Sequence, residues 1–458
     1  MRSTQRLAWP WLTNAALCVI GCAMVGLTLQ LTREYHTFTI GFSGVSSWML
    51  ALYLAAVLIF LIRPSNVNRY TFWIMVFFAV VCRLVALFPA PHLSTDVYRY
   101  VWDGVVQHAH INPYRYVPGD PALTFLRQPN RDLYDHINRR DYAHTIYPPA
   151  AQILFYLITF VSPTVAFMKL AMVLFEGISL LGLVMLLREM GLQREWTLLY
   201  AWCPLLIWEF AGSGHLDSMV MAFVVFALLF RYREQEVLTG LFLGLAVLTK
   251  FYPLVLFPAL YRRGDWKMPA TMAGLTLLLY GPYLSVGKMV FGFLGGYVDE
   301  EGMANGTRYF PLEFIQHLSM ISNSSYLVFV AVVFAGLMIW AWHTACQRDS
   351  PKDAFLWPAF GFALALMLLF SPHYPWYVAW LVPFLVLLPN LTVMAYVCGL
   401  FYLCTTALAV GYGPKQFELN EILYGTVAIA FMIEMVGRRV PFVRAWIAAV
   451  RRPNVSKN

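Results

Sequence analysis

Long apolar runs follow one another along this chain from Trp9 to Trp446, and this succession constrains its fold more than any other feature. Hydrophobic residues fill 60% of the 458 positions and charged residues only 12%, which is about half the charged fraction of a soluble domain. A soluble chain of this length would divide into several cores joined by polar linkers, and no such linkers interrupt the runs. The sequence therefore predicts an all-α polytopic membrane protein.

The lengths of the runs predict the membrane helices. Because a helix needs about 20 apolar residues to cross the hydrocarbon layer, we expect about 12 to 14 membrane helices. The full-length candidates are 10–31, 44–62, 70–90, 163–187, 268–287, 322–345 and 391–411, and the shorter ones are 197–211, 216–232, 354–371, 375–389 and 422–437. The run 148–161 is short and starts with two prolines, so we interpret it as an interfacial helix. The stretch 237–261 is too short for two spans and predicts two short helices that turn at Lys250–Pro253.

The cationic residues predict the orientation. Alternating spans bring the arginine-bearing turns and the basic tail 438–458 to one side, which the positive-inside rule makes cytoplasmic. These turns are 63–69, 188–196, 231–236 and 261–267. The net charge of +8 thus reflects membrane topology and not a nucleic-acid surface. The polar segments 91–146 and 288–321 then form two extracytoplasmic loops, the larger one after the third span, within a single domain that covers residues 1–458.

Two kinds of site are not indicated by the sequence. The seven cysteines lie almost all within apolar runs without metal-ligand or redox spacing, so we expect neither a disulfide nor a zinc site. The chain also lacks a P-loop and a glycine-rich dinucleotide fingerprint. An energy-rich substrate is therefore expected to come from the membrane, as a lipid-linked phosphate.

The first candidate site follows the third predicted span, in the sequence Ser-Thr-Asp-Val-Tyr-Arg-Tyr-Val-Trp-Asp. On a helix, Asp96, Arg99 and Asp103 share one face. Asp96 is a candidate general base for an incoming hydroxyl, Arg99 a candidate phosphate contact, and Tyr98 and Asp103 candidate substrate contacts. The alternatives are a helix N-cap for Asp96 and an ion pair with Arg99 for Asp103.

Two further candidates lie at turns between predicted helices. The sequence Gly-His-Leu-Asp suggests a polar site formed by His215 and Asp217, with an N-cap by Asp217 as the alternative. In Leu-Thr-Lys-Phe-Tyr-Pro, Lys250 is costly at membrane depth, by roughly 3 kcal/mol. We therefore predict that Lys250 binds the donor phosphate, with Tyr252 as a neighbouring substrate contact. The alternative is that the lysine extends to the interface.

The last two motifs are rich in proline and aromatic residues. The sequence Ser-Pro-His-Tyr-Pro-Trp-Tyr makes His373 a candidate phosphate or sugar contact and Trp376 a candidate to hold sugar or prenyl chain. An aromatic belt at the membrane interface is the alternative. The sequence Tyr-Pro-Pro-Ala, which ends at Ala150, is interpreted as a rigid helix start.

Together these motifs resemble the GT-C superfamily of membrane glycosyltransferases, and in particular glycosyltransferase family 87 and related polyprenyl-phosphate mannosyltransferases. They occur over roughly residues 90–385 in the order in which the family has them. The resemblance implies a polyprenyl-phosphate-sugar donor, a glycolipid or glycan acceptor outside the membrane, and Asp96 as the base. Many members carry two acidic residues where this chain has Asp96 alone, which argues against a divalent metal, and we expect no cofactor. The family's large loop also usually follows the first span, whereas here two more spans precede it.

The sequence thus leads to one main hypothesis and two alternatives. We expect transfer of a hexose, with mannose as the expected sugar, by an inverting displacement on the extracytoplasmic side of a bacterial plasma membrane. A multi-span transporter or lipid flippase would also combine many spans with buried charges, but it predicts internal repeats, which are not apparent. A ligase or polymerase that uses a pyrophosphate-linked donor is the other alternative.

Overall fold

The chain was analysed as a computed structural model, which describes residues 10–33, 40–62, 67–91, 93–303, 306–319, 325–346, 351–371, 374–407 and 416–439. The regular structure in these ranges is helical. Seven of the described helices are long and apolar enough to cross a membrane: Pro10–Thr32, Gly44–Ile62, Arg69–Leu87, Val165–Glu189, Lys267–Glu300, Ser325–Cys346 and Gln416–Arg439. Five more are apolar but shorter: Pro149–Val161, Glu236–Thr249, Leu356–Phe370, Pro375–Leu387 and Leu391–Thr405. The prediction of an all-α polytopic membrane protein is confirmed.

Two runs near the C-terminus have described helices whose bounds differ from the expected ones, and residues 408–411 of the first run lie outside the described residues. The run 391–411 was expected to span the membrane, but its described helix is Leu391–Ala407. The run 422–437 was expected to be short, whereas the helix is Gln416–Arg439 and has 24 residues. The helix continues through Glu418 and Arg438 at its two ends, where the apolar pattern is interrupted but nothing prevents helical backbone.

Contacts divide the described residues into two compact units. The first comprises those within Met1–Pro89, Leu183–Trp208 and Val382–Asn458. Its helices are Pro10–Arg33, Ile40–Ile62, Arg69–Leu87, the last turns of Val165–Glu189, Val382–Leu387, Leu391–Ala407 and Gln416–Arg439. The second comprises Ala90–Gly182 and Glu209–Leu381 and contains the cavities described below.

The expected span 197–211 is broken, which corrects the prediction made from its apolar sequence. The segment forms a 3-10 helix, two α-helical turns and a π-helix: Arg194–Thr197, Leu198–Ala201, Pro204–Leu206 and Ile207–Gly212. Pro204 has no N–H to continue the preceding turn. The carbonyls left free are used by other side chains of the first unit. Tyr53 Oη donates to the carbonyl oxygen of Leu199 at 2.8 Å, and an Arg83 nitrogen donates to that of Ala201 at 2.7 Å.

In the second unit, the long polar loop 91–146 is largely structured. It contains helix Asp96–His108, the 3-10 turn Pro121–Leu123 and the short helices Thr124–Arg127 and Arg131–Asp135. Helix Asp96–His108 packs against helix Pro149–Val161, which starts at the paired prolines as predicted. The two backbones come close at Gly104, where a Cβ atom would lie 2.2 Å from Thr159 Oγ1.

The predicted break at Lys250 is present. Helices Asp217–Tyr232 and Glu236–Thr249 form an antiparallel pair, and the second also packs against helix Lys267–Tyr280. Lys250 has extended backbone, with φ −157° and ψ 134°. A 3-10 helix, Tyr252–Leu256, and a single turn, Phe257–Leu260, follow.

The rest of the second unit surrounds these helices. Its elements are the 3-10 helix Gly281–Phe291, the short helices Leu294–Glu300 and Phe310–Ser319, helices Ser325–Cys346 and Leu356–Phe370, and the 3-10 helix Pro375–Leu381. Helical structure thus continues through much of the predicted second loop 288–321. The segment expected as a short span at 375–389 starts as a 3-10 helix and becomes α-helical only at Val382–Leu387.

Candidate active site

A cavity of about 350 Å³ lies in the second unit where helix Asp96–His108 begins. Four residues predicted from the sequence line it: Asp96, Arg99, Lys250 and Trp376. Its other polar and aromatic lining includes Asn138, Arg139, His144, Tyr297, Glu301, Tyr374 and Tyr377. The cavity therefore brings together the Asp96 carboxylate, which is the base candidate, and the Lys250 ammonium, from segments that are far apart in the chain. Aromatic rings line the same cavity.

Asp96 is the first residue of its helix, but its side chain does not cap it. The N-cap position belongs to Thr95, and the Asp96 carboxylate instead accepts a hydrogen bond from Asn138 Nδ2 at 2.8 Å. Removal from water raises the pKa of the Asp96 carboxyl above its ordinary value, while the Asn138 hydrogen bond and the charge of Lys250 act to lower it. A carboxylate with a raised pKa is a better proton acceptor than an ordinary aspartate once it is ionised.

The anion that Lys250 binds in this structure is Asp217. Lys250 Nζ lies 2.9 Å from both Asp217 oxygens, and Tyr252 Oη donates to Asp217 Oδ1 at 2.8 Å. Asp217 is fully buried in the first turn of its helix, and its side chain makes no N-cap bond. Lys250 still lines the cavity, and its Nζ lies 4.4 Å from the centre of the Tyr377 ring. The ion pair thus presents its positive member to the cavity and keeps its negative member behind.

The His215 ring stacks on the ring of Trp376, which lines the cavity. Their centroids are 4.0 Å apart, and Trp376 stacks in turn on Tyr374 at 4.5 Å. The buried His215 does not itself line the cavity. The neighbouring Gly214 has φ +76°, and a Cβ there would lie 2.9 Å from Val97 Cγ2, so the Gly-His-Leu-Asp turn packs directly on the start of helix Asp96–His108.

Glu209 is a buried carboxylate that the sequence reasoning missed. It lies on the π-helix Ile207–Gly212 and is 0% exposed, with His215 Nε2 3.3 Å from its Oε2. Within the described residues, neither of its oxygens has a hydrogen-bond partner of good geometry. Single π-turns inside helices are often found at functional sites. The signal in the sequence was a lone charged residue inside an apolar run. Glu209 shares this feature with Lys250.

Asp103 and Tyr98 do not line the cavity. Asp103 is buried and accepts from Arg99 Nε at 2.8 Å, Thr145 Oγ1 at 2.5 Å and Gln152 Nε2 at 2.9 Å. The alternative interpretation of Asp103 as an ion-pair partner therefore describes this structure. Tyr98 is also buried and stacks on His136, with centroids 4.7 Å apart. Both contribute to the loop behind the cavity and not to its surface.

Part of the lining comes from loop residues that no motif had singled out. Asn138 and Arg139 belong to the polar loop, and Arg139 Nε pairs with Glu300 at 2.6 Å. The hydroxyl of Tyr142 also donates to Glu300, at 2.9 Å. Only the high density of polar residues in the loop could have indicated them. His373, predicted as a phosphate or sugar contact, lies outside the described residues.

Among the residues that the structure describes, the side chains form no cluster for a metal ion. Across the described ranges, no group of three or more His, Cys, Asp or Glu side chains is placed to share one. What the cavity does offer is acid–base and charge chemistry: a carboxylate that can take a proton, and an ammonium that can stabilise a leaving anion.

Comparison with known proteins gives one match. Residues 15–262, more than half of the chain, match a family described as alpha-(1->6)-mannopyranosyltransferase, N-terminal domain. This region includes Asp96, Asp217 and Lys250 but ends before Trp376. No curated protein and no solved structure matches the chain. The resemblance to membrane mannosyltransferases is therefore confirmed, and the chain belongs to the alpha-(1->6)-mannopyranosyltransferase family.

Proposed function

We propose that this protein transfers mannose from a polyprenyl-phosphate-linked donor to a hydroxyl of a glycolipid or glycan acceptor, on the extracytoplasmic face of a bacterial plasma membrane. The observation that carries the proposal is that Asp96 and Lys250 line one cavity. A base for the acceptor and a cation for the departing phosphate are the two functions that such a transfer needs. The membrane helices supply the surroundings that a prenyl chain requires.

In the proposed reaction, Asp96 accepts the proton of the acceptor hydroxyl as its oxygen attacks the anomeric carbon of mannose. The bond from that carbon to the phosphate oxygen breaks, and the phosphate leaves with the electron pair. Lys250 stabilises the negative charge that develops on the phosphate. The Asp217 carboxylate and the Tyr252 hydroxyl hold the ammonium in place, with Nζ 2.9 Å from each Asp217 oxygen.

The stereochemistry follows from the single displacement. Attack from the face opposite the leaving phosphate inverts the anomeric centre. The family description names an alpha product. An inverting enzyme that makes an alpha linkage needs a donor in which mannose is beta-linked to phosphate. We therefore propose that the alpha-linked donor anomer is not a substrate.

The aromatic residues and the remaining charges fit supporting roles. Trp376, held by its stack on His215, would contact the sugar or the first part of the prenyl chain. Arg99 lines the cavity and would contact the phosphate, although its Nε is paired with Asp103. Donor, acceptor and membrane lipids are the partners in this proposal, and no step in it uses a metal ion.

The test is a transfer assay with Asp96→Asn in lipid nanodiscs. Purified protein is incubated with labelled polyprenyl-phosphate sugars, with both anomers of the mannose donor, and with a pyrophosphate-linked sugar. We expect transfer from the beta-linked mannosyl phosphate alone, and a fall in kcat of at least about 100-fold in Asp96→Asn, since general base catalysis contributes typically 10²–10⁴-fold. Asp132→Asn is the matched control, because its side chain lies in the same loop and is 94% exposed.

A folding defect can be distinguished from a catalytic one. Because folding raises the pKa of the Asp96 carboxyl, its ionisation lowers the stability of the folded chain as the pH rises from the ordinary aspartate value through the raised one, and the loss is complete above the raised pKa. Asn should therefore leave the melting temperature at neutral pH unchanged or higher. Near-normal turnover in a folded Asp96→Asn protein would exclude Asp96 as the base. Transfer from the pyrophosphate-linked donor alone would contradict the proposed reaction.

A further inference from the structure

A second cavity lies in the same unit, near the C-terminal end of helix Asp96–His108. The first cavity lies where this helix begins. The volume of the second cavity is about 660 Å³, which is within the usual size range of ligand sites. Its polar and aromatic lining includes Gln107, His110, Arg115, Tyr116, Tyr156 and Tyr283. The residues that line it include no carboxylate. The cavity is lined in part by the sequence Asn-Pro-Tyr-Arg-Tyr at 112–116, which belongs to the motifs that resemble the superfamily but to which no role was assigned.

One side of the second cavity is fixed by hydrogen bonds. Tyr283 Oη donates to Gln107 Oε1 at 2.9 Å. Asn112 Nδ2 donates to the Tyr283 carbonyl and to Ser285 Oγ, both at 3.0 Å. These bonds join the end of helix Asp96–His108 to the 3-10 helix Gly281–Phe291. This wall of the cavity is therefore formed in advance of any ligand.

Three further residues that line the second cavity, His110, Arg115 and Tyr116, have polar side chains, and the first two of these are exposed. In the part of the chain that the structure describes, no hydrogen bond or ion pair is made by the side chains of His110, Arg115 or Tyr116. The backbone of His110 has φ +59°, a left-handed conformation that is costly for a residue other than glycine. An arginine, an imidazole and a phenol therefore line the same cavity as a preformed wall of amide and tyrosine groups.

This combination suits a neutral sugar chain. Aromatic side chains give flat apolar faces for the faces of sugar rings, and phenol, imidazole and guanidinium groups give hydrogen bonds for hydroxyls. The absence of a carboxylate from the lining disfavours a cationic ligand. A phosphate would use the hydrogen-bond donors of the lining, such as Arg115, but would leave the aromatic faces without a function.

Side-chain contacts connect the two cavities. Gln107 Nε2 donates to Gln152 Oε1 at 3.1 Å, and Gln152 Nε2 donates to Asp103 Oδ2 at 2.9 Å. Asp103 in turn pairs with Arg99, which lines the first cavity. A chain of buried hydrogen bonds thus runs from Tyr283 in the second cavity to Arg99 in the first.

Tyr114 contacts residues that line each of the two cavities. Its hydroxyl donates to the carbonyl oxygen of Tyr147 at 2.6 Å, and its own carbonyl oxygen lies 3.1 Å from His144 Nδ1. Tyr147 and His144 both line the first cavity. The Tyr114 ring packs edge-on against Tyr283 of the second cavity, with centroids 5.5 Å apart. One buried residue therefore connects the lining of the two cavities.

We infer that the second cavity binds internal hexose units of the acceptor glycan while the end of the glycan reacts in the first cavity. The inference rests on the proposed glycosyl transfer. It assigns Arg115, His110 and Tyr116 to an oligosaccharide site, and it assigns the buried chain from Gln107 to Arg99 to holding that site in register with the first cavity. It implies that the enzyme favours long acceptors.

The test measures oligosaccharide binding without any donor. Intact protein in nanodiscs is titrated calorimetrically with mannose, a mannobiose and a longer linear mannooligosaccharide. We expect the affinity to rise with length, and Arg115→Ala to weaken binding of the longest ligand about tenfold or more, since a hydrogen bond to a charged group is lost. Arg131→Ala is the matched control, because this arginine lies in the same loop and is 85% exposed. Tyr116→Phe gives a second, milder variant that should also weaken binding and should not disturb folding.

Several outcomes would overturn the inference. These are equal affinities for short and long ligands, equal losses in Arg115→Ala and Arg131→Ala, and displacement of the oligosaccharide by inorganic phosphate, which would make the cavity an anion site. The transfer assay separates this inference from the proposed function. If wild type and Arg115→Ala show the same ratio of kcat/KM for long and short acceptors, the second site fails while the transferase stands. If no mannose moves from the polyprenyl phosphate, the proposed function fails, whatever the binding result.

Discussion

A buried carboxylate determines the surroundings of Lys250. The Asp217 side chain is 0% exposed, and it lies in the first turn of a helix, where the helix dipole favours negative charge. The Lys250 side chain is 19% exposed and lies against both oxygens. When two charges are removed from water as a pair, loss of one member leaves the other without compensation. The fold and the candidate phosphate contact therefore depend on the same pair.

We predict that Lys250→Met unfolds at a markedly lower temperature than wild type. Removal of one partner from a buried ion pair typically costs about 3–5 kcal/mol, and here it leaves Asp217 with only the Tyr252 hydroxyl. The double variant Lys250→Met/Asp217→Asn should recover most of the lost stability, because the unpaired charge is gone. It should not recover turnover, because the cation that faces the cavity is still missing. Thermal unfolding in nanodiscs and kcat together check this.

The control for this pair is Asp217→Asn alone. It leaves an unpaired ammonium, but one that reaches the cavity and its water, so we expect a smaller loss of stability than in Lys250→Met. Equal stability of Lys250→Met and wild type would show that the pair contributes nothing to the fold. Recovery of turnover in the double variant would exclude Lys250 from the phosphate role.

The raised pKa of Asp96 predicts the pH dependence of the transfer. If the base must be ionised, kcat/KM falls as the pH drops through its pKa. Burial places that fall above pH 3.9, the ordinary value for aspartate. The Asn138 hydrogen bond favours the ionised form, so Asn138→Ala should raise the pKa further and move the acidic limb to still higher pH. A limb that stays in place or moves to lower pH in this variant would contradict the assignment.

At the residue scale, the sequence indicated which charges are costly but not how they are satisfied. Lys250 was singled out because it interrupts an apolar surrounding, and Asp217 because it lies two residues after His215 in a turn. Their pairing could not be predicted, since the two residues are 33 positions apart and no periodicity connects them. The same holds for Asn138, which lies 42 positions after Asp96 in the polar loop. Partners of this kind depend on tertiary structure alone.

At the scale of the elements, apolar length was a good guide to helices and a poor guide to breaks. Helices Arg69–Leu87 and Ser325–Cys346 lie within a few residues of the expected spans because nothing in those runs disturbs helical backbone. The run 197–211 contains Pro204 and the buried Glu209, and it is divided into four pieces. Hydrophobicity does not distinguish a buried broken segment from a span, because both lack water.

The turn that carries His215 and Asp217 gives a prediction at this scale. Gly214 has φ +76°, and a Cβ would lie 2.9 Å from both Val97 Cγ2 and Lys169 Cγ. Gly214→Ala should therefore strain the backbone and push the turn away from the start of helix Asp96–His108, at a cost of about 1–3 kcal/mol. We expect a lower melting temperature and a reduced kcat, since the turn holds Asp217 behind Lys250.

Gly177→Ala is the matched control for this substitution. Gly177 lies in helix Val165–Glu189, and a Cβ there would meet nothing within 4 Å. Alanine also has the higher helix propensity, so this variant should be at least as stable as wild type. If Gly214→Ala behaved like Gly177→Ala, close packing of the turn against the loop helix would not be needed for activity.

At the scale of the whole molecule, the second unit supports a definite orientation of its helical hairpin. Arg262 pairs with Glu234 at 3.2 Å and Lys267 with Glu236 at 3.8 Å, so the two cationic turns lie at the same end of the hairpin. Lys250 lies at the other end of helix Glu236–Thr249. This helix has 14 residues and is thus about 21 Å long, shorter than the hydrocarbon layer of about 30 Å. If the cationic turns are cytoplasmic, Lys250 and the first cavity face the opposite side.

The last prediction is that the polar loop 91–146 lies outside the cell and the turn 261–267 inside. Cysteines introduced at Asp132 and Arg263 are both expected to be accessible to water, because both residues are exposed. In intact cells, a membrane-impermeant maleimide should label Asp132→Cys strongly and Arg263→Cys no more than the wild-type chain with its seven native cysteines. After permeabilisation, both should be labelled, which shows that the second thiol is reactive. The reason for this expectation is the excess of arginine and lysine in the short turns, which sets orientation in the membrane.

Labelling of Arg263→Cys alone in intact cells would place the first cavity in the cytoplasm. A donor and acceptor on the outer face would then be excluded, whatever the roles of Asp96 and Lys250.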